Sequence, residues 1–235
     1  SGTATLVLQY GQGALASGNT SSVSVKAPVN LAAGKHFSTK QGSNGVQVDY
    51  TVITSLGEAG SVTKTDLQGI NGDVTANYAL GSNIDASATS AWDSGAGFAA
   101  FGQNNPFSGT FDGLGHVVSN LYINTPSSFS GMFSYQTGTL RNVGLVGGRS
   151  VGQYTGSLVG LNEGRIENSY VTGANVSSNM YAGGLVGFNQ GVITASYASG
   201  TVSSDFYAGG LVGVNVGEIS NSYSLSTVQT TATGG

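Results

Sequence analysis

Gly156–Gly173 reads GSLVGLNEGRIENSYVTG, Gly183–Gly200 reads GGLVGFNQGVITASYASG, and Gly209–Ser226 reads GGLVGVNVGEISNSYSLS. Leu158, Leu185 and Leu211 mark three copies of one unit, spaced 27 and 26 residues apart. A unit that short cannot bury its own apolar face, so it must stack on its neighbours. Each copy opens on a short apolar run and turns at Asn-x-Gly. It continues as alternating Ile-x-Asn/Ala-x-Tyr and reaches a valine at Val176, Val202 or Val228. Alternation of period two, β-branched residues and Asn/Gly punctuation are strand and turn signals, and no window keeps helical spacing over three turns. The sequence predicts an all-β chain wound as a right-handed parallel β-helix (β-solenoid), about 26 residues per coil, each strand paired with the strand one coil later.

Stacking predicts columns of like residues. Gly164, Gly191 and Gly217 align, as do Ile166, Ile193 and Ile219; Tyr170, Tyr197 and Tyr223; and Tyr154, Tyr181 and Tyr207. Asn162, Asn189 and Asn215 form a ladder in which each amide reaches the next at the strand spacing of about 4.8 Å. Arg165, Val192 and Glu218 share a column, as do Glu163, Gln190 and Val216, so like charges avoid adjacent coils. In the second strand the set Thr194, Ser196, Ala198 and Ser220, Ser222, Ser224 is the more polar one. Ile166 and Tyr170, with their column mates, are therefore expected to face inward. The LVG strand is apolar on both parities, which leaves Leu185 and the pair Val186 and Phe188 undecided. Either a bend turns both inward or a neighbouring segment covers one column.

The run G-x-L-V-G-x-N-x-G-x-I-x-N-S-Y resembles the GLUG repeat of large bacterial surface proteins, especially filamentous-haemagglutinin-like adhesins exported by two-partner secretion. The stretches Asn77–Ala86 and Phe107–His116 are similar to segments that precede such repeats, so the resemblance covers about two thirds of the chain. The second copy departs from the pattern at Ala195-Ser196-Tyr197. The resemblance implies a stiff rod secreted to the bacterial cell surface or a biofilm matrix and an outer-membrane secretion partner for the full-length chain. It is nearly silent about the ligand, for which an extracellular polysaccharide or a host or cell-surface glycan is the candidate.

Composition agrees with stacked strands. The 235 residues include 39 glycines and no cysteine, 8% are charged, and the net charge is −4. Glycine without a G-X-Y period is not collagen, and 39% hydrophobic residues are too many for a disordered chain. A negative balance without basic clusters argues against nucleic acid, and no apolar run reaches the ~20 residues of a membrane-spanning helix. Without cysteine there is no disulfide framework and no thiolate metal site. One elongated domain over 1–235 is expected, with irregular leading coils at 1–76, a strand and long loop at 77–106 and regular coils at 107–228. The absence of a signal peptide or a capping element reads as a piece of a longer chain.

In chain order, Thr3–Tyr10, Val23–Asn30, His36–Lys40 and Val46–Ser55 read as strands, with a tight turn at Asn44-Gly45. Leu67–Asp73 reads as a helical turn or a tight loop, and Tyr78–Ile84 as strand. Five coils are counted from Phe107 to Val228, rising roughly 24 Å. Ala86–Gln103, which holds the single tryptophan, is too long and irregular for a turn between coils. Trp92, Asp93 and Phe98 are there the candidate ligand-binding residues, because an aromatic face in a Ser/Gly/Ala loop suits a sugar ring. The competing reading is that Trp92, Phe98 and Phe101 plug or cover the side of the helix.

Parallel β-helices also carry polysaccharide lyases and glycosidases, so a carbohydrate-active enzyme is the alternative. Glycoside hydrolysis needs paired carboxylates, and lyase chemistry needs a base beside a cation. The eleven acids are scattered; Glu163 and Glu167 flank a turn, and only Asp85, Asp93 and Asp112 are candidates to meet around the long loop. His36 and His116 lack metal-ligand or nucleophile company, and no phosphate loop or calcium repeat is present. No catalytic residue, metal or cofactor is expected.

Overall fold

The computed structural model describes residues 5–231. Three sheets wall one continuous core. The first runs Leu6–Tyr10, Gly34–Gln41, Gln47–Ile53, Tyr78–Leu80, Thr110–Asp112, Thr139–Arg141, Arg165–Glu167, Val192–Thr194 and Glu218–Ser220, in that order. From Gln47–Ile53 onward every pairing in it is parallel, so the described residues form a parallel β-solenoid of seven successive turns. The second sheet includes Ile84–Asp85, Val117–Ser119, Gly144–Val146, Tyr170–Gly183 and Tyr197–Ser204; the third holds Phe133–Gln136, Val159–Asn162, Val186–Asn189 and Val212–Asn215.

Register follows the repeat. Arg165 pairs with Val192 and Val192 with Glu218; Ile166 pairs with Ile193 and Ile193 with Ile219. Each sheet supplies one apolar column to the core: Phe111, Leu140, Ile166 and Ile193; Val118, Leu145, Val171 and Ala198; Phe133, Val159 and Val186. Burying such a side chain contributes roughly 1.5–3 kcal/mol, and the column repeats that gain in every coil.

Polar columns hold the corners. The amide ladder is present and begins one coil earlier than the repeats suggest. Gln136 donates to Asn162, Asn162 Nδ2 to Asn189 Oδ1 at 2.5 Å, and Asn189 Nδ2 to Asn215 Oδ1 at 2.7 Å. Asn162 and Asn189 are fully buried, where an unpaired amide would be costly. The glycine column extends to Gly109 and Gly138. A Cβ on Gly138, Gly164, Gly191 or Gly217 would stand 2.0–2.2 Å from the carbonyl oxygen of the glycine one coil below. Close coil-to-coil approach, and not a positive φ, therefore demands glycine at these positions.

The tyrosine expectation is corrected. Ile166 and Ile193 face inward, whereas Tyr170 and Tyr197 are only half-buried and Tyr223 is 54% exposed. Between Ile and Tyr the backbone turns through a left-handed residue in each coil: Asn142, Asn168, Ala195 and Asn221 have φ of 53°, 49°, 48° and 50°. That corner breaks the alternation of period two, so Ser169 and Ser196 point into the protein and the tyrosines out. Each serine hydroxyl accepts from the backbone N–H of the preceding coil's corner, Val143 to Ser169 at 3.2 Å and Ser169 to Ser196 at 3.2 Å. It donates to the carbonyl two residues before itself, Ser169 to Glu167 at 2.9 Å and Ser196 to Thr194 at 2.8 Å. The undecided LVG strand resolves likewise. Leu185 and Val186 are both fully buried, while Phe188 lies on the outer side, half-buried, against Tyr181.

Between the second and third sheets each coil throws out a fin. Laid straight, the 14-residue strand Tyr170–Gly183 would be roughly 46 Å long, yet Val176 and Ala182 share one small cluster with Val202 and Ala208. The chain folds back near Ser178, whose Oγ accepts from Met180 N and donates to the Gln153 carbonyl of the coil below. Tyr122–Ser130, Arg149–Gly156, Tyr170–Gly183 and Tyr197–Ser204 with Tyr207–Gly209 stack in parallel to build it.

The leading third differs from the expected coils. Gly34–Gln41 and Gln47–Ile53 form an antiparallel hairpin around the Asn44-Gly45 turn. Thr3 and Ala4 of the first expected strand lie outside the described residues; Leu6–Tyr10 is strand, and Gln68–Gly72 is a 3-10 turn. Val23–Asn30 is not a strand. It is a strap lying across successive coils at the corner between the first two sheets. Asn168 Nδ2 donates to Val23 O at 3.4 Å, Val25 N to Asn142 Oδ1 at 3.1 Å, Val29 N to Leu114 O at 3.0 Å and Leu31 N to Gly81 O at 3.1 Å. Val25, Val29 and Leu31 pack with Phe37, Tyr50, Val52, Ala79 and Leu114 in a second core on the outer face of the first sheet.

Candidate functional site

The regular coils leave chemistry only where regularity breaks, and the largest break is the loop after Ile84–Asp85. It opens as 3-10 turns over Ser87–Gly95, interrupted at Trp92–Ser94, with Asp93 and Ser94 at φ of 47° and 57°. The loop stands where a strand of the third sheet would lie. Phe101 and Phe107 bridge in parallel to Phe133 and Gln136, the lowest strand of that sheet. Two amides fix its middle: Gln68 makes two 3.0 Å bonds to the Ala99 backbone, and Asn71 Nδ2 donates to Ala99 O at 2.8 Å.

The three candidate residues part company here. Phe98 is 1% exposed and meets Phe101 edge-on at 5.2 Å, and Phe101 meets Phe133 at 5.1 Å, so Phe98 fills the core and offers no face to a ligand. Trp92 is half-buried against the same core, and Asp93 beside it is exposed. The plugging alternative therefore describes Phe98 and Phe101. It describes Trp92 in part.

Asp85, Asp93 and Asp112 do not converge. Asp85 caps Ser87 N at 3.0 Å and accepts from Asn120 Nδ2 at 3.2 Å; these bonds, the Asn120 one first, hold its carboxyl below the ordinary range. Asp112 is fully buried and binds Arg141 Nε at 2.7 Å, Asn142 Nδ2 at 3.0 Å and Leu114 N at 3.0 Å. His116 has both ring nitrogens in contact, with Asn83 Oδ1 at 3.1 Å and Val29 O at 3.0 Å. Among the described residues no group of three or more His, Cys, Asp or Glu side chains is placed to hold a metal ion.

Two clefts border the far end of the loop and share Gln103 and Asn104. One, of about 350 Å³, is lined by Ser61, Gln68, Asn71 and Asn105 among others. The other, of about 450 Å³, is lined by Gln103, Asn104, Thr125, Phe129, Ser134, Gln153 and Tyr154. No charged side chain lines either cleft. From the second cleft an aromatic column climbs the fin: Phe129 to Tyr154 at 4.8 Å, Tyr154 to Tyr181 at 5.0 Å and Tyr181 to Tyr207 at 5.4 Å between ring centroids. The spacing of Tyr154, Tyr181 and Tyr207 was readable as a column. Phe129 was not, because its coil lacks the repeat signature.

A third cleft, of about 440 Å³, lies between the leading hairpin and the first sheet and contains Tyr10, Thr39, Tyr50, Arg141, Arg165 and Glu167. Its charges are internally matched. Arg141 binds Asp112, and Arg165 Nε binds Glu167 Oε2 at 3.0 Å. Arg141 also donates to Tyr50 Oη at 3.0 Å, Tyr10 Oη at 3.2 Å and Thr39 Oγ1 at 3.4 Å. Burial works against its charge, but Asp112 and Tyr50 outweigh that and hold the guanidinium protonated. Burial raises the Tyr50 hydroxyl above the usual phenol range, with Arg141 opposing. Every named partner of Arg141 is a hairpin, leading-strand or neighbouring-coil residue, so the arrangement is a clamp.

Comparison with known proteins agrees with the repeat and the fold. Residues 151–177 and 178–203 match the family model described as the GLUG motif. Over 145 residues the chain is 36% identical to halomucin of Haloquadratum walsbyi, an alignment covering 55% of this chain and 2% of that protein's length. A crystal structure from Bacteroides ovatus, of a protein proposed to be an immunoglobulin A1 protease, superposes with a TM-score of 0.56 at 21% identity, over 77% of this chain and 68% of that one. That likeness is one of fold alone. The chain thus carries GLUG-type repeats on a β-solenoid and is similar to a short part of halomucin.

Proposed function

We propose that this chain is a non-catalytic, rod-forming segment of a large secreted or cell-surface protein of the adhesin kind. The observation that carries the reading is that the inward and corner columns serve the stack. Isoleucines fill the core, asparagines and serines close the corners, and glycines let coils approach. Translation by one coil sets like side chains in rows and does not bring unlike groups to one reacting atom. The similarity to halomucin over GLUG-bearing residues supports a surface setting.

Antibodies against this segment should label intact cells of the source organism, and external protease should remove the label. Labelling only after permeabilisation would sink the surface reading. The purified segment should turn over neither neutral nor acidic polysaccharides, with or without calcium. Cleavage abolished by Asp85→Asn, Asp93→Asn or Asp112→Asn would replace the rod with an enzyme.

A further inference from the structure

Two aromatic columns run along the rod, and they differ in what they leave open. Tyr170, Tyr197 and Tyr223 stack 5.2 Å apart with ring planes within 5°, so each ring covers its neighbour's face and shows solvent mainly its edge. Along Phe129, Tyr154, Tyr181 and Tyr207 the planes are turned by 35°, 71° and 51°, so the rings overlap less fully than parallel ones. Tyr154 and Tyr181 are half-buried, anchored in the fin, and Tyr207 is 60% exposed. The rings therefore offer sideways apolar area in steps of 4.8, 5.0 and 5.4 Å, on a backbone already fixed by parallel pairing.

At its lower end this column opens into the cleft of about 450 Å³ walled by Gln103, Asn104, Thr125, Ser134 and Gln153. The lining is hydroxyl, amide and aromatic, with no charged group. Thr125 also lines the cleft, and its Oγ1 is buried with no hydrogen-bond partner among the described residues. Aromatic faces beside amides and hydroxyls suit a ring with apolar C–H faces and a polar rim, which is a sugar. Absence of charge selects a neutral sugar, and the chain's net charge of −4 disfavours polyanions.

We propose that the cleft at Gln103 and Asn104, together with the aromatic column Phe129, Tyr154, Tyr181 and Tyr207 that rises from it, binds an extended, neutral, β-1,4-linked polysaccharide lying parallel to the rod axis. The step between rings is that of the coils, and a β-1,4-linked chain held extended advances by a closely similar step per sugar. Successive sugars then meet successive rings, and weak contacts add along one preorganised track. The inference gives the proposed rod a ligand and so rests on that reading for its setting. Its test is independent of it.

Binding of cellohexaose, xylohexaose and chitohexaose to the whole 235-residue chain should be measured by calorimetry, beside maltohexaose and oligogalacturonate. At least one of the first three should bind, with maltohexaose and oligogalacturonate at least tenfold weaker. Tyr154→Ala and Tyr181→Ala should each weaken binding tenfold or more, Tyr154→Phe and Tyr181→Phe should restore most of it, and Tyr197→Ala on the stacked column should leave it unchanged. Circular dichroism melts identify any variant that fails to fold, and Gln103→Ala, at an exposed position, then supplies a further loss to look for. No binding by the three β-1,4-linked hexamers overturns the proposal, as do preference for oligogalacturonate and equal losses from Tyr197→Ala. Concentration-dependent dimerisation abolished by Tyr181→Ala, without sugar binding, also overturns it, by showing that a second copy occupies the aromatic column. Failure to bind leaves the rod reading standing, whereas cleavage of a hexamer would sink the rod reading itself.

Discussion

Single residues fix this fold chiefly at its corners. The left-handed position held by Asn142, Asn168 and Asn221 is held by Ala195 in the intervening coil, at φ 48°. Asparagine tolerates that region better than alanine, the left-handed conformation costing roughly 1–2 kcal/mol for an ordinary residue. Ala195→Asn should therefore raise stability, by up to about 1 kcal/mol, and shift the urea midpoint upward without changing the slope of the transition. Ala195→Val should lower it, because a β-branched side chain fits that region worst. An Asn variant no more stable than the parent would mean that the surrounding coil, and not the residue, determines the turn.

Among the elements, the leading hairpin and strap are held to the coils by parallel pairing, by a second apolar core and by the side chain of Arg141. Its side chain and that of Asp112 are 6% and 0% exposed. A buried ion pair is no proof of net stabilisation, but removing one partner leaves a buried, unmatched charge at a cost of about 3–5 kcal/mol. Arg141→Met should accelerate amide exchange in Gln47–Ile53 and in the strap at 23–31, while Arg165–Glu167 and Val192–Thr194 exchange nearly as before. The double variant Arg141→Met, Asp112→Leu should recover much of the loss, since it removes both charges. Equal acceleration throughout the coils would show that the hairpin and rod unfold as one unit.

Across the whole molecule, stability is close to a sum of coils and their interfaces, so a local change is felt through the neighbours it supports. Tyr78 occupies the inward column of the first sheet at 1% exposure, and its hydroxyl donates to Asp73 O at 2.9 Å. Burial, with a smaller contribution from Asp73, pushes that hydroxyl up to about 12. An unfolded tyrosine loses its proton near about 10, so between these values the folded chain keeps a proton that the unfolded chain has released. The stabilisation is complete below pH 10 and is lost as pH rises toward 12. Denaturation midpoints should accordingly fall over that window, and more shallowly in Tyr78→Phe. Parallel curves for the two proteins would show that Tyr78 ionises without unfolding the stack.

The amino-acid sequence by itself determined the period, the parallel register and the membership of the columns, because translation by one coil places each residue on its counterpart 26 or 27 positions later. The inward face of the Ile column was legible too, but only the tertiary structure decided that the tyrosine column faces outward. Periodicity reports neighbours along the stack, whereas the face is set by the left-handed corner at Asn168 and its equivalents, which turns Ser169 inward and Tyr170 outward. The tertiary structure also buried Asp112 and Arg141, which sit on an outer column, because hairpin residues more than fifty positions earlier in the chain cover them. Phe98 likewise belongs to the core through contacts with Phe101 and, beyond it, Phe133, a strand that its own stretch of sequence does not reveal.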